Sequence, residues 1–176
     1  MALRPIEPSD IPLLYRAALD PSQSYRWRFR GTTPSLEQFA DALYRGTLGQ
    51  FAVIDRSTGS LHGLVVLYNS MPEAGWAYIA FQRVQNEEVR TGHMMVGGCL
   101  LLDYAFKNWA LRKIYAEIPD YNYQALIGST GLPVTKEGCF HDHVYFGGQY
   151  HDLHVIAIYR ETWESFIAPW RSILSL

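Results

Sequence analysis

Cysteine is scarce in this chain: Cys99 and Cys139 are the two among 176 residues. Two thiols so far apart exclude a disulfide framework and supply no paired zinc motif, so two buried free thiols in a reducing compartment are expected. Long apolar runs are missing as well. Nothing approaches the ~20 consecutive apolar residues of a membrane span, and the stretch from Met1 to Glu7 has no apolar core fit for a signal peptide. Neither charge sign dominates: 15 Lys and Arg stand against 17 Asp and Glu, a net charge of -2. That balance gives no general attraction to nucleic acid or an anionic membrane. A soluble, cytoplasmic protein is expected. What the chain does have is 48% apolar residues and 14% aromatics, enough for a single core, so one domain over 1–176 is expected.

Ala2 to Ile6 reads as a strand, and Pro8-Ser9-Asp10 as a turn whose Ser or Asp caps a helix reaching about Leu19. Leu13, Leu14, Ala17 and Ala18 form its buried stripe. Asp20 to Pro34 lacks helical periodicity and reads as a long functional loop. Ser35 caps a second helix, with Leu36, Phe39, Ala40 and Leu43 at three-four spacing and Gly46 as its stop. Phe51 to Ile54, Leu61 to Tyr68 and Trp76 to Val84 are strands divided by turn signals. Gly92 to Trp109 reads as a helix with Leu100, Leu101, Tyr104 and Ala105 inside, Lys113 to Ile118 as a strand, and Asn122 to Gly131 as a short helix. Gly138 to Ile158 makes two strands around Gly147-Gly148, and Phe166 to Leu176 suits an amphipathic helix. This order predicts an α/β fold, mostly antiparallel in its first half, with a helical crossover in its second.

Gly92 to Phe106, ending Leu100-Leu101-Leu102-Asp103-Tyr104-Ala105-Phe106, resembles the cofactor helix of GNAT acetyltransferases. Lys113-Ile114-Tyr115-Ala116-Glu117 resembles that family's fifth strand, and Asn122 the asparagine that opens its fourth helix. Gly148-Gln149-Tyr150-His151-Asp152 and Arg160-Glu161-Thr162-Trp163 resemble the closing segments of its RimJ/RimL branch. The resemblance covers nearly the whole chain. It implies the GNAT acyl-CoA N-acyltransferase fold, a mixed, mostly antiparallel sheet flanked by helices, with acetyl-CoA as co-substrate.

A loop leading into a helix offers unpaired amides and the positive end of a dipole, which suits a pyrophosphate. Here Arg90, Thr91, Gly92, His93, Met94 and Met95 occupy that place. The family usually writes Gln or Arg, two residues, Gly, one residue, then Gly or Ala. In this chain Val89 holds the leading position, Arg90 follows one place late, Gly92 matches, and Met94 replaces the closing small residue. By the resemblance, strands four and five part around the pantetheine arm, which Asn122 helps to hold. Backbone amides in Phe81 to Val84 would then polarise the thioester carbonyl.

Acetyl transfer needs a deprotonated amine, a polarised carbonyl and a proton for the departing thiolate. Many members use a Tyr seven residues after the asparagine; Ser129 stands there, and Ala125 stands where RimL-like members carry a Ser. Ser129 is therefore the candidate acid, equally readable as a helix-surface serine. Glu117 and Asp120 are candidate bases.

His141-Asp142-His143 and His151-Asp152-Leu153-His154 flank the Gly-Gly turn. A two-residue turn pairs Phe146 with Gln149, so that His143 faces Asp152 and His141 faces His154. Such a face reads as a zinc or iron ligand set, as a general base at His143, or as cross-strand packing. The weight falls on the last two, and no metal is assigned. Arg26, Trp27, Arg28, Phe29 and Arg30 alternate charge and ring beside the acceptor opening that the resemblance implies. Arginine forks suit carboxylates, so an acidic amine is the expected acceptor, with Arg26, Trp27, Arg28 and, in the hairpin, Tyr150 as candidate contacts. The function expected is acetyl transfer from acetyl-CoA to a primary amine, either a protein amino terminus or a small molecule. The rivals are a GNAT-fold module without catalysis and a transferase drawing on a carrier-protein or tRNA ester. The hairpin and the apolar tail are candidate homodimer surfaces.

Overall fold

The computed structural model describes residues 1–21, 24, 29, 31–84 and 91–174, without the side chains of Thr91, Ala125, Gly128, Ser129, Thr130, Ile173 and Leu174. Seven strands run β1 (Ala2–Arg4), β2 (Thr47–Ile54), β3 (Leu61–Met71), β4 (Trp76–Arg83), β5 (Lys113–Pro119), β6 (Val134–Phe146) and β7 (Gln149–Tyr159). Among the described residues they are accompanied by the α-helices α1 (Ile11–Leu19), α2 (Leu36–Leu43), α3 (Thr91–Asn108), α4 (Asp120–Thr130), α5 (Arg160–Ile167) and α6 (Arg171–Leu174). The strands form one sheet in the order β1-β2-β3-β4-β5-β7-β6. The β4–β5 pair is parallel and joined by the α3 crossover. Contacts divide the chain into two compact units, Met1–Asn69 with Ala80–Leu101, and Ser70–Ile79 with Leu102–Leu176.

In the first unit β1 pairs antiparallel with β2 from Ala2↔Ile54 to Arg4↔Ala52. The predicted first strand is shortened because Arg4 turns to chelate Asp10, at 2.6 and 2.8 Å. Asp10 is 5% exposed and also accepts the Glu7 amide, so this carboxylate ties the strand to the helix entrance instead of capping α1. The helix buries Leu14, Ala17 and Ala18, while Leu13, expected inside, lies outside. The start of α2 is a capping box: Ser35 Oγ accepts the Gln38 amide and Gln38 Oε1 accepts the Ser35 amide. Phe39 and Leu43 then point inward with Leu14, and each such side chain contributes about 1.5–3 kcal/mol by leaving water. Leu36 is exposed.

The first half of α3 lies almost in contact with this part of the sheet. A Cβ on Gly97 would meet Val53 Cγ2 at 2.5 Å, and one on Gly63 would meet the Gln82 carbonyl at 2.2 Å and Met94 Sδ and Cε at 2.8 Å. Glycine in the middle of a helix costs about 1 kcal/mol against alanine. At Gly97 that cost permits the close approach. At Gly98 a Cβ would find the Phe81 ring at 3.7 Å, an ordinary contact.

In the second unit β5 and β7 pair antiparallel over seven rungs, from Lys113↔Tyr159 to Pro119↔Leu153. The second half of α3 buries Leu102, Ala105 and Phe106, and Tyr104, expected inside, is exposed. Its C-terminal carbonyls meet a cation: the Arg160 guanidinium donates to Phe106 O, to Trp109 O at 2.6 Å and to Leu111 O at 2.8 Å. Lys113, 8% exposed, donates to both Glu137 oxygens at 2.8 Å beneath the Tyr115 ring. Tyr159 also donates to Glu137. Partial desolvation of the Glu137 side chain alone would push its carboxyl up, but the Lys113 and Tyr159 hydrogen bonds outweigh that and hold it below the ordinary range. Burial would lower Lys113, and Glu137 reverses this to hold it raised.

Two tests follow from these contacts. Gly97→Ala should lose about 1 kcal/mol in urea unfolding, because overpacking against the stiff Val53 exceeds the helix gain, whereas Gly98→Ala should gain up to about 1 kcal/mol. Equal stabilisation by both would mean that α3 is free to shift. For the ion pair, a depressed carboxyl stabilises the fold above its ordinary value of 4.5 and loses that contribution as pH falls through its folded value. A raised Lys113 contributes throughout the range below 10.5. The stability gap between the parent chain and Glu137→Gln should therefore be full above pH 4.5 and narrow as pH falls below it, and a gap independent of pH would contradict the pairing.

Candidate active site

The start of α3 belongs to the first unit, and its first-turn amides have no acceptor within the helix. Gly92 is exposed, and a Cβ there would meet nothing within 4 Å. Met94 is 4% exposed, with its sulfur and terminal methyl against Gly63. The thioether is thus a core side chain, turned away from Gly92 at the start of the helix. Met95 is half-buried. His93 Nδ1 lies 2.9 Å from Nδ1 of His62, which is buried on β3, so one ring carries the shared proton and the other accepts it. Arg90 and Val89 lie outside the described residues, as does the side chain of Thr91.

Of the β4 residues expected to face a thioester, Phe81 is half-buried beside Gly98, and Val84 is 1% exposed. The Val84 amide donates to the His62 carbonyl at 3.0 Å, so it is already engaged and cannot polarise a carbonyl. Here the sequence reading is corrected.

The second unit carries the carboxylates and the hairpin. Glu117 is exposed on β5 opposite Val155, and its charge adds to burial in raising the Tyr78 phenol. Asp120 opens α4 and meets His151 Nδ1 at 2.9 Å. The other His151 nitrogen faces the Phe146 carbonyl at 3.2 Å, and Tyr121 sits edge-on to the ring at 4.9 Å. Both nitrogens have partners, so His151 fastens the hairpin to α4. Asn122 is half-buried in the same first turn. Ser129 lies in α4 with its side chain outside the described residues, and Arg26, Trp27 and Arg28 also lie outside them.

The hairpin register departs from expectation. Its end is as predicted, with Phe146↔Gln149, and Gly147 and Gly148 both have positive φ, at 61° and 84°, as this turn requires. Between Val144↔His151 and Phe140↔Leu153 the strand β6 bulges, setting residues 141–143 against Asp152 alone. His154 consequently faces Cys139, not His141, and no regular ladder rung joins His143 to Asp152 inside the bulge. The expected three-imidazole face is not formed. His143 is exposed with its ring 5.1 Å from Phe140, and Tyr150 is exposed beside Tyr145. His62 was missed by the sequence reading, although one polar residue inside the apolar run from Leu61 to Leu67 marks it.

A mixed seven-stranded sheet whose parallel β4–β5 pair is joined by the α3 crossover is the arrangement of an acyl-CoA N-acyltransferase fold. Residues 1–126 match the family described as acetyltransferase (GNAT) domain, and the chain belongs to that family. A search of curated protein sequences returns no match. Among solved structures, spermidine N-acetyltransferase from Vibrio cholerae in complex with CoA and spermine superposes with a TM-score of 0.80 at 20% identity, covering 92% of this chain and 96% of that one. The Vibrio cholerae spermidine/spermine N-acetyltransferase SpeG in complex with manganese ions gives a TM-score of 0.73 at 20% identity, covering 96% and 95%. The chain thus carries an acetyltransferase domain of the GNAT family, in the fold those neighbours share. Among the described residues no helix is long and apolar enough to cross a membrane.

Proposed function

We propose that the α3 amides from Gly92 onward receive the pyrophosphate of acetyl-CoA and that a primary amine attacks the thioester carbonyl directly. The observation that supports this most is the first turn of α3, where Gly92 is exposed with no described atom within 4 Å of a Cβ built on it and Met94 turns into the core. The C–N bond forms, the tetrahedral intermediate collapses with loss of the C–S bond, and the thiolate takes a proton. With the Val84 amide engaged, strand alternation turns the Phe81 and Arg83 amides to the other edge of β4, and these are the donors to the oxyanion. Asn122 helps to hold the pantetheine arm, and Ser129 is the proton donor. Glu117, exposed where Asp120 is occupied by His151, is the base.

For the acceptor, the three arginines within 26–30 favour an amine that carries a carboxylate nearby. A protein amino terminus of the RimJ/RimL kind fits this better than the polyamines named for the neighbours. The two free thiols support a reducing, cytoplasmic setting. A second copy would meet the hairpin, where Phe140, Tyr145, Phe146 and Tyr150 are exposed.

Thermal shift with acetyl-CoA, followed by free-thiol release over a panel of amines, tests this reading. Turnover of acidic amino-terminal peptides above spermidine supports it; binding without turnover on any amine overturns it. Gly92→Asp, a carboxylate placed where phosphate should sit, should weaken CoA binding at least about tenfold, near 1.4 kcal/mol, with the melting point of the free protein unchanged. Glu117→Gln should lower kcat/KM about a hundredfold and flatten the acid limb of its pH profile, while Asp120→Asn should change it less than about threefold. The reverse ranking would move the base to Asp120.

A further inference from the structure

The β6 bulge is a costly local conformation with a specific product. Asp142 has φ 50°, in the left-handed region, and its amide donates to Asp152 Oδ1 at 3.0 Å. With Oδ1 holding the bulge, Oδ2 points to His141 Nδ1 at 2.9 Å and to Cys139 Sγ at 3.7 Å. One nitrogen, one sulfur and one oxygen, from residues that a regular ladder would spread along the strands, lie within 4.8 Å of one another. The backbone distortion has converted a row of cross-strand pairs into a convergent donor set.

We infer that this bulge is a binding site for a divalent transition ion of the zinc type, with Cys139 Sγ, His141 Nδ1 and Asp152 Oδ2 as protein ligands and water in the fourth position. Zinc takes N and O donors at about 2.0–2.1 Å and S at about 2.3 Å in a tetrahedron, which sets its ligand atoms roughly 3.2–3.6 Å apart. The nitrogen and oxygen, 2.9 Å apart, need to open by a few tenths of an ångström, the sulfur and oxygen stand at 3.7 Å, and no pair is wider than 4.8 Å, so closure on an ion takes about 1 Å at most. Mixed thiolate, imidazole and carboxylate ligation selects zinc, or cobalt in its place, over magnesium or manganese, which prefer oxygen. A thiolate and a carboxylate together neutralise a divalent charge. His141 is 80% exposed, so the ion enters from solvent, and Cys139 and Asp152 are half-buried. Bound there, the ion would cross-link β6 to β7 across the bulge and fix the exposed end of the hairpin.

Cobalt titration of the full chain, followed by absorbance, tests the site. One equivalent should produce tetrahedral visible bands and a thiolate-to-cobalt charge-transfer band, both abolished by zinc. Cys139→Ser should remove the charge-transfer band and Cys99→Ser should leave it. His141→Ala, which keeps the Asp142–Asp152 bond, should weaken binding at least about tenfold. In a second measurement zinc should slow alkylation of Cys139 but not of Cys99, read by mass spectrometry on the unmodified sequence. Absence of the charge-transfer band at saturating cobalt, its survival in Cys139→Ser, or alkylation of Cys139 indifferent to zinc would each overturn the inference.

Discussion

The near-contact between α3 and the sheet of the first unit is the constraint on which the site depends. Gly63 and Gly97 have no room for a Cβ, and Met94 fills the space that remains. An α-helix carries side chains on every face, so it reaches van der Waals distance of a sheet only where both surfaces give up bulk. Here β3 and α3 each do so at one residue. The helix is then fixed in position by repulsion as much as by burial, and its first turn, where the amides open, inherits that fixity. A donor site made of backbone N–H groups needs this, because no side chain can correct its aim.

The same contact explains why a bulky residue is tolerated where the family writes a small one. Glycine or alanine at that place keeps the phosphate loop clear by having little side chain. In this chain the unbranched thioether at that place, with its three rotatable bonds, lies back over Gly63 in the core. The two substitutions are one device, since a side chain on Gly63 would deny Met94 its space. Only the pairing in three dimensions shows this, and nothing in the one-dimensional pattern connects position 63 to position 94.

Features governed by near neighbours were legible in the sequence. The Ser35–Gln38 capping box, the Gly147-Gly148 turn and the start of α3, placed within one residue, are all settled by local backbone chemistry. Burial faces were less legible. Leu13, Leu36 and Tyr104 fit an apolar stripe, yet a stripe of three-four spacing does not reveal its edges, and each of these lies on the outer edge. The hairpin register failed for a different reason. Counting outward from the turn gives the right pairs to Val144↔His151, and then a carboxylate ten residues away captures the Asp142 amide and shifts the ladder. A bulge held by a long-range hydrogen bond leaves no local signature.

Carboxylates separate the roles within the second unit. Glu137 is enclosed by Lys113 and Tyr159, Asp120 is held by His151, and Asp152 anchors the bulge, so each spends its charge on structure. Glu117 sits on the same strand as Lys113, four residues along, and is exposed at the surface. A base must bind and release a proton at each turnover, which a carboxylate locked beside a cation does poorly, because the partner that stabilises its charge also depresses its basicity. The distribution of partners, more than proximity in sequence, is what distinguishes Glu117 from its neighbours.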